Sequence, residues 1–134
     1  MPPEPSLTAR SPLVLIVDHF ADAREMYAEY LEFRGYRVAT AASGPEAIWL
    51  ARAAEPAIVV MDTHLPTISG ADTLRLFRDN PALCNIPILA LTASAMAHER
   101  AAAQMAGFDA VITKPCLPQD LVELIEHYLE RQHR

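Results

Sequence analysis

The chain has a single lysine among its 134 residues, against ten arginines, and only two cysteines, four glycines and one tryptophan. Each scarcity removes a class of function. Cys84 and Cys116 are too few for a disulfide framework and lack metal-ligand spacing, which suits a reducing compartment. Lys and Arg nowhere cluster, and the formal net charge of -6 is wrong for a nucleic-acid or anionic-membrane surface, either of which needs a basic patch. No run approaches the roughly 18 to 20 apolar residues of a spanning helix, and the opening MPPEPSLTARSP lacks the apolar core of a signal peptide. The expectation is a soluble, cytoplasmic protein with no nucleic-acid and no membrane partner. A glycine-rich phosphate loop and a nucleophile elbow are also missing, so an enzyme built on either is not expected.

What is present is a chain 51% hydrophobic, the size of one ordinary domain with one core. Residues 1–12 hold four of the eleven prolines and little to bury, and read as a flexible tail. The folded domain is expected over 13–134. Within it short β-rich runs alternate with longer stretches of helical spacing. The strand candidates are LVLIV (13–17), YRVAT (36–40), AIVVM (57–61), IPILALT (86–92) and AVIT (110–113). Several are apolar throughout, as parallel strands covered on both faces should be.

Five helix candidates lie between and after them. The first carries Ala23, Tyr27, Tyr30 and Leu31 on one stripe, with Gly35 as a left-handed cap. The second opens at Pro45, suited to a first helical turn, and buries Ala47, Ile48 and Ala51. The third follows Gly70 with Leu74 and Phe77, and the fourth is the alanine-rich SAMAHERAAAQMAG (94–107). The fifth begins near Pro118 and stacks Leu121, Leu124, Ile125 and Tyr128. Strict alternation implies an α/β fold with a doubly wound, five-stranded parallel sheet, since every parallel connection needs a crossover.

Open α/β sheets gather their functional groups beyond the carboxyl ends of the strands. There the first strand ends at Asp18 and His19, the third at Asp62, the fourth at Thr92 and the fifth at Lys114 and Pro115. Two carboxylates, a hydroxyl and an ammonium are thus expected on one edge. A chain that uses arginine everywhere else has its lone lysine here, where a compact point charge on a flexible stem is useful.

These residues in this order resemble the receiver domain of bacterial two-component response regulators. The resemblance runs through VLIVDHFADAREM, GYRVATAASGPEAI, VVMDTHLPTISG, LALTA and VITKP, and so covers nearly everything after the tail. It implies a flavodoxin-like (βα)5 receiver fold and a stand-alone phosphoacceptor signalling domain, which is not an enzyme beyond its own phosphoryl transfer and dephosphorylation. It implies that Asp62 accepts a phosphoryl group from a histidine kinase or histidine phosphotransfer protein. Thr92 would be the switch hydroxyl, Lys114 would neutralise a phosphoryl oxygen, and the Lys114-Pro115 bond would be cis. Mg²⁺ would be held by Asp18, Asp62 and the backbone carbonyl of His64. Output would pass to an unidentified downstream protein, and a homodimer is compatible with the pattern.

The chain departs from that family pattern at two points. His19 stands where the family places a second acid, and imidazole is a poor Mg²⁺ ligand and a good one for softer divalent metals. Three expectations follow. Asp18 and Asp62 suffice for weakened Mg²⁺ binding with His19 not ligating, or the pocket is degenerate and the domain acts as a phosphorylation-independent interaction module. In the third, Asp18, His19, Asp62 and His64 hold a softer metal, or protonated His19 replaces part of the missing cation. Val111 stands where the family has a switch aromatic. Phe108, out of register with it, is expected to pack against the fourth helix. Trp49 falls off the apolar stripe and is expected to be partly covered by neighbours. Asp22 should complement its helix dipole. His98, His127 and His133 should be solvated, and Cys116, with no adjacent base, an ordinary thiol.

Overall fold

The computed structural model describes residues 11–93 and 96–132. Most of the expected tail, the start of the expected fourth helix at Ser94 and Ala95, and His133 lie outside these residues. The chain forms β1 (Leu13–Val17), α1 (Ala21–Phe33), β2 (Arg37–Ala41), α2 (Gly44–Ala54) and β3 (Ile58–Asp62). It continues with α3 (Gly70–Asp79), β4 (Ile88–Thr92), α4 (Ala97–Ala106), β5 (Ala110–Thr113) and α5 (Pro118–Gln132). All strand pairs are parallel, in the order β2-β1-β3-β4-β5. The doubly wound architecture is therefore as the alternation implies. β4 starts at Ile88, later than the apolar pattern suggests, because Pro87 has no N–H for the ladder and only its carbonyl accepts, from Val59.

Side chains along a strand point alternately to opposite faces, and the two cores divide accordingly. Leu15, Val17, Val59, Met61, Ile88 and Ala90 face α2, α3 and α4, and pack with Ala47, Ala51, Leu74, Phe77 and Ala103. Val14, Ile16, Ile58, Val60, Leu89 and Leu91 face α1 and α5, against Tyr27, Leu31, Leu121, Val122 and Ile125. Burying each large side chain stabilises the fold by roughly 1.5–3 kcal/mol, which is what covers both faces of the sheet. Phe108 joins the first core beside Ala103, as expected. Among the buried residues of α4 only Ala103 appears, so this helix is the least firmly anchored.

Trp49 requires a correction. It is 70% exposed on α2, because the stripe through Ala47 and Ala51 turns it away from the sheet and its neighbours Arg52 and Ala53 leave most of the indole open. Gly35 takes φ +97 after α1, the left-handed conformation expected of a cap glycine. Gly70 matters for a different reason. A Cβ there would lie 2.8 Å from the Asp62 carbonyl oxygen and the Thr63 Cα, so only glycine lets α3 start directly against the end of β3. No helix among the described residues is long and apolar enough to cross a membrane.

Candidate functional site

Asp18 follows the last residue of β1, and its N–H donates to the Ala41 carbonyl of β2 at 3.0 Å. Asp62 is the last residue of β3. These two strands are neighbours, so the carboxylates meet at the carboxyl edge of the sheet, both buried. Lys114 comes from beyond β5 and is steered by its own N–H, which donates to the Thr92 carbonyl at 2.7 Å. The Lys114-Pro115 bond is cis. From there Nζ donates to Asp18 Oδ2 at 3.0 Å and to Asp62 Oδ2 at 2.9 Å. One ammonium therefore bridges two acids that come from different strands.

The remaining carboxylate oxygens follow a matching plan. Asp18 Oδ1 accepts the Phe20 N–H at 2.9 Å, and Asp62 Oδ1 accepts the His64 N–H at 2.8 Å. Each aspartate thus fixes the backbone two residues on with one oxygen and holds Lys114 with the other. Such local carboxylate turns shape loops cheaply, because a side chain stands in for a backbone acceptor. The β3–α3 loop is fixed further by the Thr63 N–H on the Leu91 carbonyl and the Gly70 N–H on the Thr63 carbonyl.

Two residues not singled out from the sequence join the site. Arg24 Nη1 donates to the Asp18 carbonyl at 2.8 Å. A cation in the first turn of a helix opposes the dipole, and that was a legible signal that it has a specific partner. Phe20, 64% exposed, lies with its ring centroid 6.0 Å from Lys114 Nζ and covers one side of the ammonium. An apolar side chain in the N-cap position was its only sequence trace.

His19 is exposed, its ring 5.5 Å from that of Phe20. His64 is also exposed, with Nδ1 3.2 Å from the Thr63 hydroxyl. Among the described residues, no group of three or more His, Cys, Asp and Glu side chains is placed to hold a metal ion. The donor set that does converge, two buried carboxylates, is hard oxygen. This fits Mg²⁺, which takes one or two carboxylates and keeps water or phosphate oxygens in its other positions. Thr92 ends β4, is buried, and lines a cavity of about 230 Å³ with Thr63, His64, Ala102, Ala103 and Phe108. Val111 is half-buried against the adjoining core. Asp22 sits in the first turn of α1 as expected, and His98 and His127 are exposed. Both thiols are free and half-buried, and burial, followed by the charge of Asp120, pushes the Cys116 thiol up.

Burial pulls the Lys114 ammonium down, but the hydrogen bonds to Asp62 and Asp18, and then their charges, outweigh it and hold it above its ordinary value. For Tyr27, whose hydroxyl donates to the Cys116 carbonyl at 2.8 Å, burial acts in the other direction and raises the group above its ordinary value. Both groups bind their proton more tightly folded than unfolded. Their contribution is complete below the ordinary values of 10.0 for Tyr27 and 10.5 for Lys114, and is lost as pH rises through the higher folded values. Chemical denaturation between pH 8 and about pH 11 is expected to show stability declining from about pH 10 upward. A stability that rises over that interval would contradict the bridge.

A parallel five-stranded α/β sheet with two acids and a lysine gathered at its carboxyl edge defines a receiver-type domain. The response regulator receiver domain profile matches residues 14–126, and the chain belongs to that family. It is 33% identical over 116 residues to the polar-differentiation response regulator DivK of Brucella ovis, covering 87% of this chain and 94% of that one. Among solved structures, the chemotaxis response regulator CheY4 of Vibrio cholerae superposes with TM-score 0.82 at 27% identity, over 87% of this chain and 98% of the other. A CheY-like receiver domain protein of Methanospirillum hungatei JF-1 gives TM-score 0.83 at 28% identity, over 92% and 97%.

Proposed function

We propose that the domain is a phosphorylation switch in which Asp62 is the acceptor. The observation that carries this reading is the Lys114 ammonium held between the buried carboxylates of Asp62 and Asp18. A carboxylate attacking phosphorus must have its own charge, and that of the phosphoryl oxygens, neutralised by groups already in place. Lys114 supplies one such charge. In the step itself an Asp62 oxygen forms a bond to the phosphorus of a phosphohistidine on a histidine kinase or phosphotransfer protein. The P–N bond breaks and the imidazole leaves, taking a proton.

Mg²⁺, held by Asp18, Asp62 and the His64 backbone carbonyl, would supply further positive charge against the phosphoryl oxygens. The rest belongs to the chain's own residues. Lys114 swings on its stem to follow the new oxygens, and the Thr92 hydroxyl turns toward them. Thr92 lines the cavity under α4, and α4 is the least anchored helix, so the change at Asp62 is passed outward there. Signalling then proceeds through contacts with a downstream protein, in the cytoplasm. The exposure of His19 favours a metal shell without imidazole over the softer-metal alternative.

Incubation with a small phosphodonor and Mg²⁺ followed by intact mass tests the reading. Added phosphoryl mass on the wild type is the expected result, and its absence under all conditions would favour a phosphorylation-independent interaction module. Lys114→Arg provides a finer check. It keeps the charge but replaces a compact ammonium with a planar fork that does not fit between two buried oxygens. Phosphorylation is expected to slow about tenfold or more, equivalent to about 1.4 kcal/mol. An unchanged rate would make the lone lysine incidental.

A further inference from the structure

We propose that the free edge of β2 is a docking strip for a basic, extended peptide, which adds to the sheet as a further strand. The proposal does not depend on phosphorylation of Asp62. β2 lies at the end of the sheet and pairs with β1 alone. The Arg37 N–H donates to the Pro12 carbonyl and the Ala41 carbonyl accepts from the Asp18 N–H, so the odd-numbered residues of β2 serve β1. In a parallel ladder the alternate residues, Val38 and Thr40, then turn their N–H and C=O groups outward. Sheets commonly blunt such an edge with a charge, a proline or a bulge. Positions 38–41 hold no charged residue and no proline, and the register with β1 runs without a bulge.

A groove of about 350 Å³ runs along this edge, with Val38 and Thr40 on one side and Glu25, Ala28, Glu29 and Glu32 of α1 on the other. The three glutamates are exposed and lie on one stripe of the helix. Like charges at that spacing destabilise a helix, and none of the three is in an ion pair among the described residues. The arginines beside the groove are engaged with backbone, Arg24 with the Asp18 carbonyl and Arg37 with the Ser11 carbonyl. A cationic occupant relieves the repulsion. A second copy of this chain does not, since it brings the same acidic strip and another net charge of -6. Spacing selects an extended form, because Glu25 and Glu29 are about 6 Å apart along the helix axis and alternate side chains on a strand are about 6.6 Å apart. Val38 packs on the α1 side of the sheet, so an added strand presents every second side chain to that side. Arg or Lys at alternate positions then meets the glutamates, while the added backbone satisfies Val38 and Thr40.

The test titrates the whole chain at low salt with synthetic peptides of about eight residues, Thr alternating with Arg or Thr alternating with Glu, read by calorimetry and amide exchange. The basic peptide should bind and slow exchange of the Val38 and Thr40 amides, and the acidic one should not bind. Replacing all three glutamates, Glu25→Gln, Glu29→Gln and Glu32→Gln together, should weaken binding about tenfold or more. Thr40→Pro removes an outward N–H and no bond to β1, so the variant should fold and also lose about tenfold or more. No binding by the wild type overturns the proposal. Equal binding by Thr40→Pro overturns it too, leaving charge attraction without strand addition. Self-association that Thr40→Pro abolishes would make a second copy the occupant, and slow exchange of both amides in the free monomer would make it residues 1–10 of the chain itself; either result overturns the proposal. Should Thr40→Pro not fold, the basic peptide with its backbone nitrogens methylated makes the same test, and unchanged affinity overturns strand addition.

Discussion

Asp62→Asn is expected to abolish the phosphoryl mass that the proposed switch would gain from a small phosphodonor, and to leave a folded, cooperatively melting domain. The loss should be complete, because an amide oxygen is not a nucleophile that forms an acyl phosphate, and among the described residues the other acid hydrogen-bonded to Lys114 is Asp18, which is 1% exposed. The fold should survive for reasons visible at the strand end. An asparagine oxygen still accepts the His64 N–H that shapes the β3–α3 loop, and one of two buried like charges is removed along with its bond to Lys114. These effects oppose one another, and the net change is expected within about 2 kcal/mol. Phosphoryl mass persisting on the variant, located by peptide mapping to another residue, would sink the assignment of Asp62.

His19→Asp should strengthen Mg²⁺ binding about tenfold or more, each tenfold being about 1.4 kcal/mol. The new carboxylate would add a third hard-oxygen group beside Asp18 and Asp62, in a position where the wild type has an imidazole. Without metal the variant should melt lower than the wild type, since three carboxylates then face one ammonium in the same cleft. With Mg²⁺ the deficit should shrink or reverse, because the ion binds only the folded state. Thermal melts of both proteins across Mg²⁺, Zn²⁺ and Ni²⁺ check this in one experiment. A wild type stabilised more by Zn²⁺ or Ni²⁺ than by Mg²⁺, with that preference lost in His19→Asp, would mean that imidazole does ligate.

Much of this protein was legible in its sequence, because the strongest constraints act locally. Apolar runs without alternation identify parallel strands covered on both faces, and parallel strands require crossovers, so five alternations leave little freedom beyond a doubly wound sheet. The same rule puts Asp18, Asp62, Thr92 and Lys114 on one edge, since each follows or ends a strand at its carboxyl end. Gly35 was readable as a left-handed cap for a similar reason: a backbone need shows up directly as a residue type.

Only the tertiary structure decided how those residues share partners, because that depends on side-chain direction across segments far apart in the chain. Lys114 lies 96 residues from Asp18 and 52 from Asp62, and nothing local to any of the three states that one ammonium would take an oxygen from each. Asp18 and His19 are neighbours in sequence, yet one is buried on the lysine and the other is exposed against Phe20, because the first also has to hold the entry to α1. Trp49 was misjudged for the same reason, since cover depends on what packs beside a helix and not on its own stripe. The sequence by itself determined which chemical groups reach the edge of the sheet. Packing alone determined that His19 is not among those that face the lysine, and that Asp18 and Asp62 share one ammonium between them.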